Sequence, residues 1–114
     1  ATIQAIQTLD AQLGRIAEKV LSYQGTLVIT ADHGNAEEMV KVQTGEIDKE
    51  HSINPVPFLI INHWWAQAKP YWPPVPGGDL SQLRPLGILS DVGPTLLRLL
   101  GLPIPAEMTG HSIV

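Results

Sequence analysis

A chain of 114 residues, 44% hydrophobic and 16% charged, has room for a single domain with one ordinary core and lacks the composition of a disordered chain. Seven Lys and Arg against eleven Asp and Glu give a net charge of -4, which argues against a nucleic acid or an anionic membrane as a partner gripped by charge. Zero cysteines exclude disulfides, thiolate zinc sites and a cysteine nucleophile, and the longest apolar run, 58–61, is far short of the ~20 residues of a spanning helix. Neither an initiator Met nor a basic-then-apolar leader opens the chain. The reading is a cytoplasmic, mildly acidic α/β piece of a longer or processed chain.

Ile3, Ile6, Leu9, Leu13, Ile16 and Val20 recur every three or four residues and predict an amphipathic helix, with Thr2 as its N-cap and Gly25 as a left-handed C-terminal cap. Residues 26–31, Thr-Leu-Val-Ile-Thr-Ala, are short and β-branched without polar alternation, which predicts a strand buried on both faces of a mostly parallel sheet. An acidic, turn-rich stretch, 32–52, follows, in which Met39 and Val40 make one short turn of contact. Residues 56–61 predict a second strand, with Pro57 at its start or on an edge because proline lacks a ladder donor. Between His63 and Pro85 lie five prolines, Gly77-Gly78 and three tryptophans, read as a surface excursion or insertion anchored by its indoles. Leu96, Leu97, Leu99 and Leu100 predict a last helix, capped by Ser90 or Asp91, with Pro94 in its first turn and Gly101 at its end.

The chemistry concentrates at the end of the first strand, in Ala31-Asp32-His33-Gly34-Asn35. Ligands of α/β sheets bind beyond the carboxyl ends of strands, and an Asp oxygen beside a neutral His nitrogen suits Zn, Mn or Fe. The alternative is a plain turn in which Asp32 caps the N–H of Gly34 or Asn35 and His33 lies on the surface. His51, 18 residues on and just before the second strand, reaches the same rim if the two strands are neighbours; otherwise it is a solvated loop histidine. His63 and His111 are read as structural or surface residues, and Glu37, Glu38, Glu46, Asp48 and Glu50 as a solvated acidic loop. No dinucleotide, phosphate-loop, GxSxG or HExxH motif is present.

Four separated segments carry a resemblance: residues 30–39 (TADHGNAEEM), 51–58 (HSINPVPF), 91–97 (DVGPTLL) and 105–110 (PAEMTG). In this order they resemble the C-terminal end of the cofactor-independent (2,3-bisphosphoglycerate-independent) phosphoglycerate mutases, within the alkaline-phosphatase-like metalloenzymes. The resemblance covers nearly all of residues 1–114, read as one C-terminal portion of the metal-binding domain, and leaves 63–85 as an insertion. It implies a partial alkaline-phosphatase-like sandwich, an incomplete sheet flanked by helices.

It also implies two Mn²⁺ ions (Zn²⁺ or Co²⁺ in some relatives), with Asp32 and His33 on the ion that contacts a serine nucleophile and His51 on the other. Asn35 and Glu37 are then candidates to orient the imidazoles from behind. The implied reaction interconverts 3-phosphoglycerate and 2-phosphoglycerate through a phosphoserine. The serine, the remaining ligands and the substrate-binding arginines are expected upstream of residue 1, so no catalytic residue is assigned in this chain, Ser52, Ser90 and Ser112 included, and the isolated chain is expected to be inert. The parent is expected to be a monomer acting on a small molecule, while a truncated piece with an open sheet edge is prone to self-associate. Two rivals remain at this point: another phosphatase, sulfatase or phosphopentomutase of the same superfamily, and a non-catalytic interaction module docking through the Trp/Pro segment.

Overall fold

The computed structural model describes residues 1–41, 44–47, 51–65 and 82–114. Helix α1 (Thr2–Ser22) leads into strand β1 (Leu27–Ile29); strand β2 (Leu59–Ile61) pairs with it, and a single 3₁₀ turn, Leu89–Asp91, runs straight into helix α2 (Val92–Leu99). Among the described residues the result is a partial α/β fold, two helices and a two-stranded sheet, as an incomplete alkaline-phosphatase-like sandwich requires. The insertion expected at 63–85 lies mostly outside the described residues; of its tryptophans, Trp64 and Trp65 are described and both are exposed.

The termini of α1 differ from the sequence expectation. Ala1 occupies the N-cap position and no side chain caps the helix; Thr2 is already helical, its hydroxyl turned toward the Met39 sulfur. At the other end the left-handed residue is Gln24, with φ of 55°, rather than Gly25. The N–H of Gly25 bonds the Val20 carbonyl at 3.0 Å and that of Gln24 bonds the Leu21 carbonyl at 2.9 Å, the two bonds of a Schellman motif. Gly25 serves close approach instead: a Cβ there would stand 2.9 Å from Val20 Cγ1. His63 adds to this terminus by donating from Nε2 to the Leu21 carbonyl at 2.9 Å, a structural role in keeping with the negative end of a helix.

The strand pair is antiparallel, with Leu27 opposite Ile61, Val28 opposite Ile60 and Ile29 opposite Leu59. The reading of residues 26–31 as a strand of a mostly parallel sheet leaves the direction of its pairing with 56–61 open, because a continuous apolar run specifies burial and not direction. Both strands are shorter than the apolar runs that contain them. Pro57 falls before β2, where its missing N–H breaks no ladder bond. Burial on both faces is not reached either: Leu27, Val28 and Ile29 are all half-buried.

No large aliphatic or aromatic side chain is fully buried among the described residues. The stripe of α1 keeps Ile6 and Leu9 at 51% and 54% exposure, so one helix and two strands leave much of the apolar surface they present uncovered. Burial is concentrated at the start of α2, where Pro94 and Thr95 are enclosed. Asp91 is the N-cap by position but sends its carboxylate elsewhere, to the N–H groups of Ile88 and His111 at 2.9 and 2.8 Å. The Thr95 hydroxyl donates to the Asp91 carbonyl at 2.6 Å and accepts the N–H of Ile113 at 3.2 Å. Together they tie residues 110–113 to the first turn of α2. Gly101, at φ of 68°, ends α2 as expected, with Leu102 N–H bonded to the Leu97 carbonyl at 2.9 Å.

Candidate metal centre

β1 delivers the chain to Asp32 and His33, and β2 is preceded by the segment that carries His51. The two segments meet just beyond the strands. Gly34 and Ser52 form an antiparallel bridge, Gly34 N–H to the Ser52 carbonyl at 3.3 Å and Ser52 N–H to the Gly34 carbonyl at 2.9 Å. From Ile29 to Gly34 is five residues, while from Ser52 to Leu59 is seven, so the second segment carries two extra residues between the strand pair and the bridge. Pro55 and Pro57 lie in that excess, and neither has an N–H to continue the ladder.

Around a hydrogen-bonded pair, side chains of the paired residues face one way and those of their neighbours the other. Ser52 and Gly34 therefore share one face, and His33 and His51 share the opposite one as diagonal neighbours, a spacing that aromatic rings can span. The rings are stacked accordingly, centroids 3.6 Å apart and planes 15° from parallel. On the Asp32 side, Oδ1 lies 3.7 Å from His33 Nε2, too far for a hydrogen bond.

The His33 tautomer follows from its partner. Nδ1 faces the Gly34 carbonyl at 3.0 Å, and since a carbonyl only accepts, Nδ1 carries the hydrogen and the neutral ring presents the Nε2 lone pair. A metal-binding imidazole uses this arrangement, one nitrogen anchored to the backbone and the other turned outward. Beside that lone pair stands a second acceptor, the largely exposed carboxylate of Asp32. Two donor atoms each about 2.1 Å from one ion, subtending 90–120°, stand roughly 3–3.6 Å apart, so the 3.7 Å between Asp32 and His33 lies at the upper edge of what a shared divalent cation spans. The turn in which Asp32 caps Gly34 or Asn35 is not what forms: Gly34 N–H goes to Ser52, and Asn35 N–H goes to Glu37 Oε2 at 2.9 Å.

His51 stands differently. A ligating lone pair lies in the plane of its ring, and in a parallel stack the two sets of lone pairs occupy separate planes. His33 and His51 thus cannot both point at one ion in this arrangement. Consistent with this, among the described residues no three His, Asp or Glu side chains converge to hold an ion by themselves. The donor types fit hard or borderline divalent metals; the number of donors falls short of a closed shell.

Glu37 does not touch the imidazoles. Its Oε1 accepts the Ser52 hydroxyl and lies 3.5 Å from Asn54 Nδ2, while Oε2 takes the Asn35 N–H. The Ser52 hydroxyl holds this carboxyl below the usual carboxylate range, outweighing the opposing effect of burial, with backbone N–H donors and the Asn54 amide adding smaller effects in the same direction as the hydroxyl. Asn35 enters through its backbone N–H in that bond. Sequence reasoning gave Ser52 no role and did not foresee the close packing at Gly34: Ser52 is 8% exposed, and any Cβ at Gly34 would run into the Glu37 carboxylate and the Ser52 hydroxyl. The only sequence signal was the adjacency of each to a candidate ligand. His111, like His63, stays outside this cluster, with its backbone N–H on Asp91.

An α/β scaffold with an Asp–His pair at a strand's carboxyl end has relatives. The family described as the Metalloenzyme superfamily matches residues 1–104, and the chain belongs to that superfamily. Over all 114 residues it is 42% identical to the 2,3-bisphosphoglycerate-independent phosphoglycerate mutase of Clostridium botulinum (strain Langeland / NCTC 10281 / Type F), covering 19% of that protein. It is 46% identical to the protein of the same name from Gloeobacter violaceus and 45% identical to that of Acaryochloris marina, covering 20% of each. The chain thus spans about one fifth of the length of the curated relatives it matches. Among the described residues no helix is long and apolar enough to cross a membrane.

Proposed function

We propose that these residues form the C-terminal part of a cofactor-independent phosphoglycerate mutase, a cytoplasmic enzyme that interconverts 3-phosphoglycerate and 2-phosphoglycerate through a phosphoserine. In this reading Asp32 and His33 hold one Mn²⁺ and His51 a second, with the remaining ligands, the nucleophilic serine and the substrate-binding arginines supplied by the rest of the polypeptide. The observation that carries the reading is the meeting of Asp32, His33 and His51 beyond the sheet, a carboxylate and a lone-pair nitrogen 3.7 Å apart with a second imidazole stacked alongside.

When bound, two such ions lower the pKa of an attacking oxygen and offset charge on a transferring phosphoryl group. The residues of this chain do the positioning. The Gly34 carbonyl holds the His33 ring in the tautomer that leaves Nε2 free. The Gly34–Ser52 bridge keeps the segments bearing the two histidines in register. Asp32 contributes the negative charge that favours a cation at this rim. A ligating imidazole must be neutral, so protons compete with the metal for these nitrogens.

The test is substitution in the full-length enzyme. His51→Ala should abolish mutase turnover while thermal unfolding stays cooperative; near-normal turnover would remove His51 from the site.

A further inference from the structure

We propose that Glu37 is a positioning residue for the metal-binding histidines, fixing the segment of His51 against that of His33 through Ser52; the inference rests on the metal reading above. Each imidazole is one residue from the Gly34–Ser52 bridge, and Glu37 grips that bridge from the face opposite the rings. One carboxylate oxygen takes the Ser52 hydroxyl, which itself lies 3.4 Å from the Asn54 N–H, and the other takes the Asn35 N–H at 2.9 Å. A single side chain thereby spans residues 35 and 52, two residues beyond His33 and one beyond His51.

The donor count explains why a carboxylate stands here. A hydroxyl, a backbone N–H and the nearby Asn54 amide all face it, and an acceptor-only group satisfies all three. An amide of the same shape would set an NH₂ against one of those donors. The absence of a Cβ at Gly34 makes room for the arrangement, since the space a methyl would fill is taken by the Glu37 carboxylate and the Ser52 hydroxyl. Glu38, the adjacent acid, makes its backbone bond to the Asn35 carbonyl at 3.2 Å, closing the turn that aims Glu37 back at the bridge. The isolated antiparallel bridge has two hydrogen bonds and, among the described residues, no flanking ladder, so this carboxylate is a substantial part of what sets the separation of the two histidines.

The experiment uses the full-length enzyme stripped of metal and titrated with Mn²⁺ by calorimetry. The visible absorption of the Co²⁺ form serves as a second readout that reports ligand geometry rather than stability. Glu37→Gln and Ser52→Ala should each weaken Mn²⁺ binding about tenfold, as loss of groups behind metal ligands does. Each should alter the Co²⁺ band, and the double variant should be little worse than the worse single one because both act along one path. If both single variants bind Mn²⁺ as the wild type does and keep its Co²⁺ spectrum, while His33→Ala loses binding, the role of Glu37 is overturned and the metal reading stands. If the wild type binds no Mn²⁺, both fall. Should Glu37→Gln fail to fold, Ser52→Ala alone carries the test.

Discussion

Gly34 and Ser52 exchange both of their backbone hydrogen bonds, at 3.3 and 2.9 Å, and so hold together two segments 18 residues apart in the chain at the point where each carries a histidine. Everything proposed for the site passes through that bridge. It orders the sheet's open end, puts His33 and His51 on one face, and presents Ser52 to Glu37 on the other.

Gly34→Ala tests the bridge directly. A methyl group at this buried position collides with the Glu37 carboxylate and the Ser52 hydroxyl, and overpacking of this kind costs about 1–3 kcal/mol. The variant of the full-length enzyme should show a lowered thermal midpoint and weaker Mn²⁺ binding together. Unchanged values of both would mean that the close packing at Gly34 is not required.

At the end of α1, a non-glycine residue sits in left-handed backbone at φ of 55°. Gln24→Gly should therefore stabilise, by about 1 kcal/mol from relief of the left-handed penalty. Gly25→Ala should destabilise, since the new Cβ meets Val20 Cγ1 at 2.9 Å and the Val20 carbonyl oxygen at 3.1 Å. Opposite signs at adjacent positions, read from thermal midpoints, are the expected result; equal signs would contradict the assignment of the cap.

The chain's last residues answer to pH through Asp91. The N–H of His111, followed by that of Ile88, holds this carboxyl below its usual value of 3.8. A depressed folded value means the anchorage is fully present above the usual value and is lost as pH falls through the lowered one. Protection of the His111 amide, the intrinsic exchange rate over the observed rate at the same pH, should fall only below about pH 4 in the wild type and be low already at neutral pH in Asp91→Asn. Thr95→Val should loosen the same segment at every pH, because the enclosed hydroxyl that both donates to Asp91 and accepts from Ile113 is gone, at about 1–2 kcal/mol.

What the sequence made legible, and what it hid, follows from the range of the interactions involved. The stripe from Ile3 to Val20 marks α1 and Gly101 marks the end of α2, because periodicity and a left-handed cap are local properties. Gly25 looked like the same signal and was not: a glycine serves equally for positive φ and for close approach, and only the position of Val20 tells them apart. The direction of the strand pair was hidden, since residues 26–31 and 56–61 read alike in either direction. The Asp32–His33 pair and His51 stood out by residue type and by their place at strand ends. Glu37, read as a residue that orients imidazoles, reaches the Ser52 hydroxyl, a contact between positions 15 apart that no local pattern encodes.

The most direct measurement is an anomalous difference map from Mn²⁺-loaded crystals of the full-length enzyme. The account predicts two peaks, one bonded to Asp32 and His33 Nε2 and another bonded to the imidazole of His51. Manganese bound elsewhere, with these three side chains free of it, would contradict the account.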